Sequence, residues 1–188
     1  MYTYTMPRDA WDESNPDKRA IYTLIMKHRR EAEKLRVLMQ YYGGEHKILS
    51  ENRKNKLVCN HAKDISDTAS AYFIGNPISY KSDTDIADLT DLLEAAGADE
   101  ADGDNGLDLS IYGRCYEYIY PKEDKTILAV KNLSPENTFM VYDDTIEQGE
   151  LFAVYYYIRK DDTHSIVTDT HHPFIFLQPL FGQFLSQC

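Results

Sequence analysis

Cysteine is scarce in this 188-residue chain, and the three that occur, Cys59, Cys115 and Cys188, stand far apart. They form no Cys-x-x-Cys pair and no zinc spacing, which argues against a disulfide framework and suits a reducing compartment. Long apolar runs are missing. None reaches the roughly 20 residues that a membrane-spanning helix needs, so no membrane association is expected. Met1 to Pro7 has neither the basic region nor the apolar core of a secretory signal. Phosphate-cradling glycine loops are missing too: there is no Gly-x-Gly-x-x-Gly and no Gly-x4-Gly-Lys-Ser/Thr, while Gly43-Gly44 and Gly97 stand as isolated helix stops. No serine occupies a Gly-x-Ser-x-Gly elbow. Positive charge is short as well. The net charge is −11, whereas a free-standing, sequence-specific DNA binder needs a basic patch to displace counterions.

What is present is ordinary in bulk. Hydrophobic residues make up 43% and charged residues 27%, enough for one domain with a sizeable core, or a domain plus an appended segment. The 15 tyrosines are unusual; tyrosine joins apolar area to a hydroxyl and suits half-buried strands and subunit interfaces. Charge is also uneven. Residues 1–63 hold 13 Lys and Arg against 8 Asp and Glu, and residues 64–188 hold 7 against 23. That pattern reads as a solvated basic helix beside an acidic domain; the functional alternative is a polarised surface that orients subunits or repels DNA phosphate.

Along the chain, residues 1–14 read as a flexible arm. Asn15-Pro16 opens a helix, with Asn as cap and Pro at the first helical position. Ile21, Leu24, Ile25, Ala32, Leu35, Leu38, Met39 and Tyr42 then recur at steps of three and four, drawing one apolar stripe. Lys27, Arg29, Arg30, Lys34 and Arg36 fall largely off it. A second helix is expected over Arg53 to Ile74, stopped by Gly75-Asn76-Pro77. Ile78 to Lys81 reads as a short strand. A third helix, capped by Ser82 or Asp83, turns Ile86, Leu89, Leu92, Leu93 and Ala96 inward. Ala98 to Asn105 reads as an acidic loop, and Asn105 to Tyr112 as a short helix. From Arg114 the period becomes two. Tyr116, Tyr118 and Tyr120 share one face, Cys115, Glu117 and Ile119 the other. A hairpin partner follows at Thr126 to Lys131, then a helical turn at Ser134 to Asn137. Strands at Thr138 to Tyr142, Leu151 to Arg159 and Ser165 to Asp169 complete the pattern. The class is α+β: long N-terminal helices, then an antiparallel sheet.

Few residue groups invite chemistry. Asp143-Asp144 and Asp161-Asp162 fall in turns, where Asp favours the geometry. Asp99, Glu100, Asp102, Asp104 and Asp108 do not place acids at the offsets a calcium loop requires before Gly103 or Gly106, and read as a solvated loop. His171-His172 precede Pro173 with no ligand partner at metal spacing. His28 and His61 are single residues within helices. The tyrosine-rich strands could stack bases, but with no basic groove they read as core or interface. No catalytic, cofactor-binding or metal residue is assigned, no cofactor is implied, and nucleic-acid-binding residues stay unassigned.

Several stretches together resemble the portal (head–tail connector) family of tailed phages, in particular the branch common in phages of Gram-positive hosts. They are Tyr41-Tyr42-Gly43-Gly44-Glu45-His46, Asn55-Lys56-Leu57-Val58-Cys59-Asn60-His61-Ala62-Lys63 and Tyr72-Phe73-Ile74-Gly75-Asn76-Pro77-Ile78-Ser79-Tyr80. Asp108-Leu109-Ser110-Ile111-Tyr112-Gly113-Arg114-Cys115-Tyr116-Glu117 and Val141-Tyr142-Asp143-Asp144-Thr145 follow. The Gly-Asn-Pro stop and the Ile-Tyr-Gly-Arg turn carry most of the likeness, which spans about residues 17–170. The resemblance implies a structural virion protein, not an enzyme: a homo-oligomeric ring, usually of twelve subunits, at the capsid portal vertex. Double-stranded DNA passes through its channel during packaging and ejection, without sequence-specific binding. Terminase, head-completion proteins and capsid or scaffolding proteins are the implied partners. The implied locations are the virion and, during assembly, the host cytoplasm. The matched region, 15–170, resembles the family's outer, wing-like α+β part.

Residues 171–188 depart from the family pattern. They form an uncharged tail with no clear period, as expected of an out-of-frame or truncated portal gene in a decaying prophage. Two other functions compete: a small acidic adaptor binding a protein through its tyrosine-rich sheet, and a metal-dependent nuclease or phosphohydrolase using the Asp clusters.

Overall fold

The structure is a computed structural model that describes residues 3–12, 17–46, 57–76, 78–122, 128–158 and 164–169. Its elements run β1 (Tyr4–Met6), a 3-10 turn (Arg8–Ala10), α1 (Lys18–Tyr42), α2 (His61–Ile74), α3 (Ala87–Ala96) and α4 (Ala98–Tyr112). Then come β2 (Tyr116–Pro121), β3 (Leu128–Leu133), β4 (Thr138–Asp143), β5 (Glu150–Ile158) and β6 (His164–Asp169). The class is α+β, as expected. One sheet has the order β1-β4-β5-β6, and β2-β3 form a separate antiparallel pair.

The sheet is the middle layer of three. Alternate residues of a strand point to opposite faces. Phe139 and Val141 of β4, with Phe152, Val154 and Tyr156 of β5, form one cluster with Ile21 and Ile25 of α1. Met140 and Ala153 point the other way, against Tyr116 and Leu133 of the hairpin, with Tyr118, Tyr142 and Tyr155 around them. Burying a side chain of this size stabilises the fold by about 1.5–3 kcal/mol, so a sheet covered on both faces holds most of the core. The tyrosine-rich face is therefore packed inside the chain by its own hairpin.

Residues 3–12 are not a loose arm. Tyr4 pairs with Val141 and Met6 with Asp143, in parallel, so β1 closes an edge of an otherwise antiparallel sheet. Tyr4 and Met6 are buried, and Trp11 stacks on Phe152 with ring centroids 3.8 Å apart. Only three residues pair, too few for a period to be visible, and apolar burial decides their place.

The long helix α1 starts later than the Asn15-Pro16 signal suggests. Asp17 is its cap, accepting from the Arg19 amide at 2.9 Å; residues 15 and 16 lie outside the described residues. Its buried stripe is Ile21, Ile25, His28, Ala32 and Leu35, with Glu31 beside it. Arg30 and Lys34 are exposed and Arg29 is half-buried; Leu38 and Met39, expected inside, are exposed. Leu35 packs on Ile111 and Tyr112, so the second half of α1 rests on α4.

Four further expectations change. The second helix begins at His61, capped by Asn60, whose side chain accepts from the Lys63 amide at 3.1 Å; Leu57 and Val58 precede it, and residues 53–56 lie outside the described residues. Ile78–Lys81 pairs with no strand among the described residues. Leu89 and Leu92 of α3 are exposed rather than inside. Residues 98–105 are helical: Gly97, at φ 77°, ends α3 and starts α4. Asp99 and Glu100 in the first turn complement the helix dipole. Tertiary packing also holds α4 in place: Gly106 is buried, and a Cβ there would stand 1.9 Å from Ile74 Cδ1 of α2. The hairpin, β4, β5 and β6 fall where the period-two pattern places them, and Ser134–Asn137 is a turn closed by Asn137 N–H to the Ser134 carbonyl. His171-His172, Asp161-Asp162 and the tail 171–188 lie outside the described residues.

Candidate functional site

The densest polar structure is a buried junction beneath α1. Glu31 and His28 occupy the buried side of α1, one turn apart. Gly113, at φ 71°, ends α4 in the left-handed conformation that glycine adopts without strain. The turn it makes sends the next residue, Arg114, back to α1. Arg114 Nη2 donates to Glu31 Oε1 at 3.0 Å, and Tyr4 Oη of β1 donates to Glu31 Oε2 at 2.6 Å. One carboxylate thus ties the first strand, the long helix and the entry to the hairpin. Burial alone would raise the Glu31 pKa, but the Tyr4 hydroxyl and the Arg114 guanidinium outweigh it and hold the carboxylate below its usual range. Burial and the Glu31 bond push the Tyr4 hydroxyl far up.

His28 lies next to this group, stacked on Phe139 at 4.8 Å. His28 Nδ1 and Tyr156 Oη share a hydrogen bond of 2.9 Å, and Tyr156 Oη lies 3.2 Å from the Glu136 carbonyl, to which it donates. His28 Nε2 is buried and makes no hydrogen bond among the described residues, although the Pro135 carbonyl weakly favours the charged ring. Burial dominates and lowers the pKa to about 4, so the ring is neutral at pH 7. Further out, the Glu136 carboxylate accepts from Tyr112 Oη at 3.0 Å and Arg36 Nε at 3.2 Å.

A second polar group joins α4 to the hairpin. Asn105 Nδ2 donates to Glu117 Oε2 at 2.7 Å, and Asn132 Nδ2 donates to Asn105 Oδ1 at 2.8 Å and Asp108 Oδ2 at 3.0 Å. Burial, with Asp104 and Glu136 nearby, pushes Asp108 up to about 6. Burial also pushes the Cys115 thiol up to about 11, so it is a weak nucleophile.

These groups are bound to one another. The Glu31 carboxylate is shared between two donors, and neutral His28 faces aromatic rings, so neither is poised to attack or to transfer a proton. The suspected acids divide similarly. Asp143 Oδ1 accepts from the amides of Thr145 and Gly149, each at 3.1 Å, closing the β4–β5 turn, while Asp144 is exposed. Asp99, Glu100 and Asp104 are exposed along α4, Asp102 is half-buried, and Asp108 turns to the hairpin. Among the described residues, no group of three or more His, Cys, Asp or Glu could hold a metal ion. No helix among them is long and apolar enough to cross a membrane.

Two motifs separated in sequence meet at the end of α1. Asn60 Nδ2 donates to the Tyr42 carbonyl at 2.7 Å, Tyr42 Oη donates to Asp67 Oδ1 at 2.8 Å, and Lys63 Nζ pairs with Asp67 Oδ2 at 2.8 Å. Gly44, at φ 82°, lets the chain pass Asn60: a Cβ would stand 3.3 Å from Asn60 Nδ2. The model of the family described as "Phage portal protein, SPP1 Gp6-like" matches residues 22–170. The chain belongs to that family. No curated protein matches it.

Portal proteins are structural virion proteins of the head–tail connector, acting in DNA packaging, and they are not enzymes. The family acts as an oligomeric ring in contact with capsid and DNA at the portal vertex. In this portal chain the Ile111-Tyr112-Gly113-Arg114 stretch is the buried junction itself. Ile111 and Tyr112 pack on Leu35, Gly113 turns, and Arg114 pairs with Glu31. Sequence reasoning passed over Glu31 and set His28 aside as a single residue within a helix. Their signal was there: each sits where the three-and-four spacing from Ile25 and Leu35 demands an apolar residue.

Proposed function

We propose that this chain forms the outer, wing-like part of a portal ring and meets its neighbours through the exposed side of α2. The observation that carries this reading is that α2 buries none of its residues. Ile65 is 69%, Tyr72 93% and Phe73 64% exposed. Leu57 and Val58, just before α2, and Ile78, after it, are exposed as well. Exposed apolar side chains of this number mark an interaction site, and a family that works as a ring supplies the partner: the next copy of the chain.

The rigid three-layer core then acts as a frame that presents helices to neighbouring subunits, to terminase during packaging and to head-completion proteins afterwards. Assembly takes place in the host cytoplasm and ends at the capsid vertex. The acidic balance suits a ring that DNA slides past without being gripped. The competing roles have less support: the sheet face that an adaptor would use is covered by β2–β3, and among the described residues the acids of a nuclease lie along α4 and in the β4–β5 turn.

Native mass spectrometry with negative-stain microscopy of the purified chain tests the proposal. Closed multi-subunit assemblies are expected. The double variant Ile65→Asp/Tyr72→Asp, exposed at both positions, should shift them to monomers with helix content unchanged. A wild-type chain that remains monomeric at every concentration would refute the ring role.

A further inference from the structure

The charge asymmetry of the sequence falls on different helices of the fold. On α1, Arg19, Lys27, Arg30 and Lys34 are exposed. The two acids of α1 are already engaged: Glu31 is buried with Arg114, and Glu33 pairs with Arg36. The outer side of α1 is therefore basic. Tyr22 and Met26, 45% and 39% exposed, continue to Arg30 along one line of four-residue steps.

Residues 82–113 are the opposite. They carry ten Asp and Glu and no Lys or Arg. Asp88, Asp91 and Glu94 of α3, and Asp99, Glu100 and Asp104 of α4, are exposed and make no ion pair among the described residues. Leu89 and Leu92, 48% and 37% exposed, lie among the acids of α3. Each surface combines an apolar strip with charge of one sign, which is the make-up of an interface core and its rim.

We infer that the basic outer side of α1 on one subunit docks against the acidic α3–α4 segment of the next. The inference rests on the ring reading and adds a charged contact to the one proposed for α2. Like surfaces repel, so neither can pair with its own copy across a twofold axis. A head-to-tail repeat brings opposite charges together at every junction, and such a heterologous contact generates a ring when the rotation closes.

Charge exchange between two exposed sets tests the contact. Arg30→Glu/Lys34→Glu cancels the positive charge of the exposed α1 set; Asp88→Lys/Asp91→Lys makes α3 itself basic. Circular dichroism checks that each still folds. Sedimentation velocity at low salt should show that each variant alone needs about tenfold or more protein than wild type to assemble, because the attraction across every junction is then lost. An equimolar mixture of the two should assemble again, in alternation. Wild-type assembly should weaken as salt is raised. Variants that assemble as wild type does would overturn this contact and leave the ring standing, as would a mixture that fails to restore assembly. A monomeric wild type would instead remove the ring reading itself, and the contact with it.

Discussion

Arg114 reaches across 83 positions of sequence to pair with Glu31, Nη2 to Oε1 at 3.0 Å, with the two side chains only 10% and 9% exposed. The pair joins the start of the hairpin to the middle of the long helix, and Tyr4 adds the first strand to the same carboxylate.

Removing one partner leaves the other charge buried and uncompensated, a loss of about 3–5 kcal/mol. Arg114→Met and Glu31→Gln should each lower stability by roughly that amount in urea titrations. The double variant should recover a large part of it, since two neutral side chains need no compensation. A double variant as unstable as the sum of the singles would show that the pair is not coupled.

Acidification sets two buried groups against each other. His28 has a folded pKa of about 4, below the unfolded value of 6.5. Between these values the unfolded state binds the extra proton, so the His28 contribution is fully present above pH 6.5 and is lost as pH falls towards 4. Asp108 has a folded pKa of about 6, above its ordinary 3.8. There the folded state binds the extra proton, so stability rises as pH falls through the same window. Each effect is on the order of 3 kcal/mol, and they largely offset. Stability curves from pH 7 to 4 should be shallow for these two groups together. Asp108→Asn, which keeps an acceptor for Asn132, should make the curve fall more steeply on acidification, and His28→Gln should tilt it the other way. Parallel curves for wild type and both variants would contradict the assignment.

Trp11 is the chain's one tryptophan, and it stacks on Phe152 beside the docked first strand. Its fluorescence therefore reports whether that strand is in place. Met6→Asp puts a charge in a site where Met6 is 7% exposed. Such a carboxylate, buried without a partner, costs several kcal/mol. Emission should shift to the red, with near-native helix content by circular dichroism if the strand alone is released. An unshifted spectrum would mean that Trp11 stays packed without β1.

Gly106 separates two effects of a side chain. Ala gains about 1 kcal/mol of helix propensity over Gly, and the atoms it would meet first are the end of the Ile74 side chain, which can rotate. Gly106→Ala should therefore be near neutral by thermal melting. Gly106→Val also meets Ser70 and pushes α2 away from α4, at a cost of about 1–3 kcal/mol. Equal effects from the two substitutions would contradict close packing of α2 on α4.

Much of this protein follows from its sequence alone, where the physics is local. The apolar stripe of α1, the period-two strands, the tyrosine hairpin and the left-handed turn at Gly113 depend on neighbours a few residues away, and the order of the motifs was enough to indicate a portal chain. Contacts remote in sequence decided the rest. Three residues of β1 carry no readable period, and they become a strand because β4 offers an open edge and an apolar floor. Residues 98–105 favour a loop by composition, yet they fold as helix, with Ala101 buried and Asn105 held by Glu117 and Asn132 of the hairpin. Leu89 and Leu92 follow a core pattern, but no layer among the described residues covers them. Glu31 and His28 interrupt an apolar stripe, and only the return of Arg114, Tyr4 and Tyr156 from distant elements makes their burial tolerable, since a polar group inside a protein is stable only when other groups satisfy it.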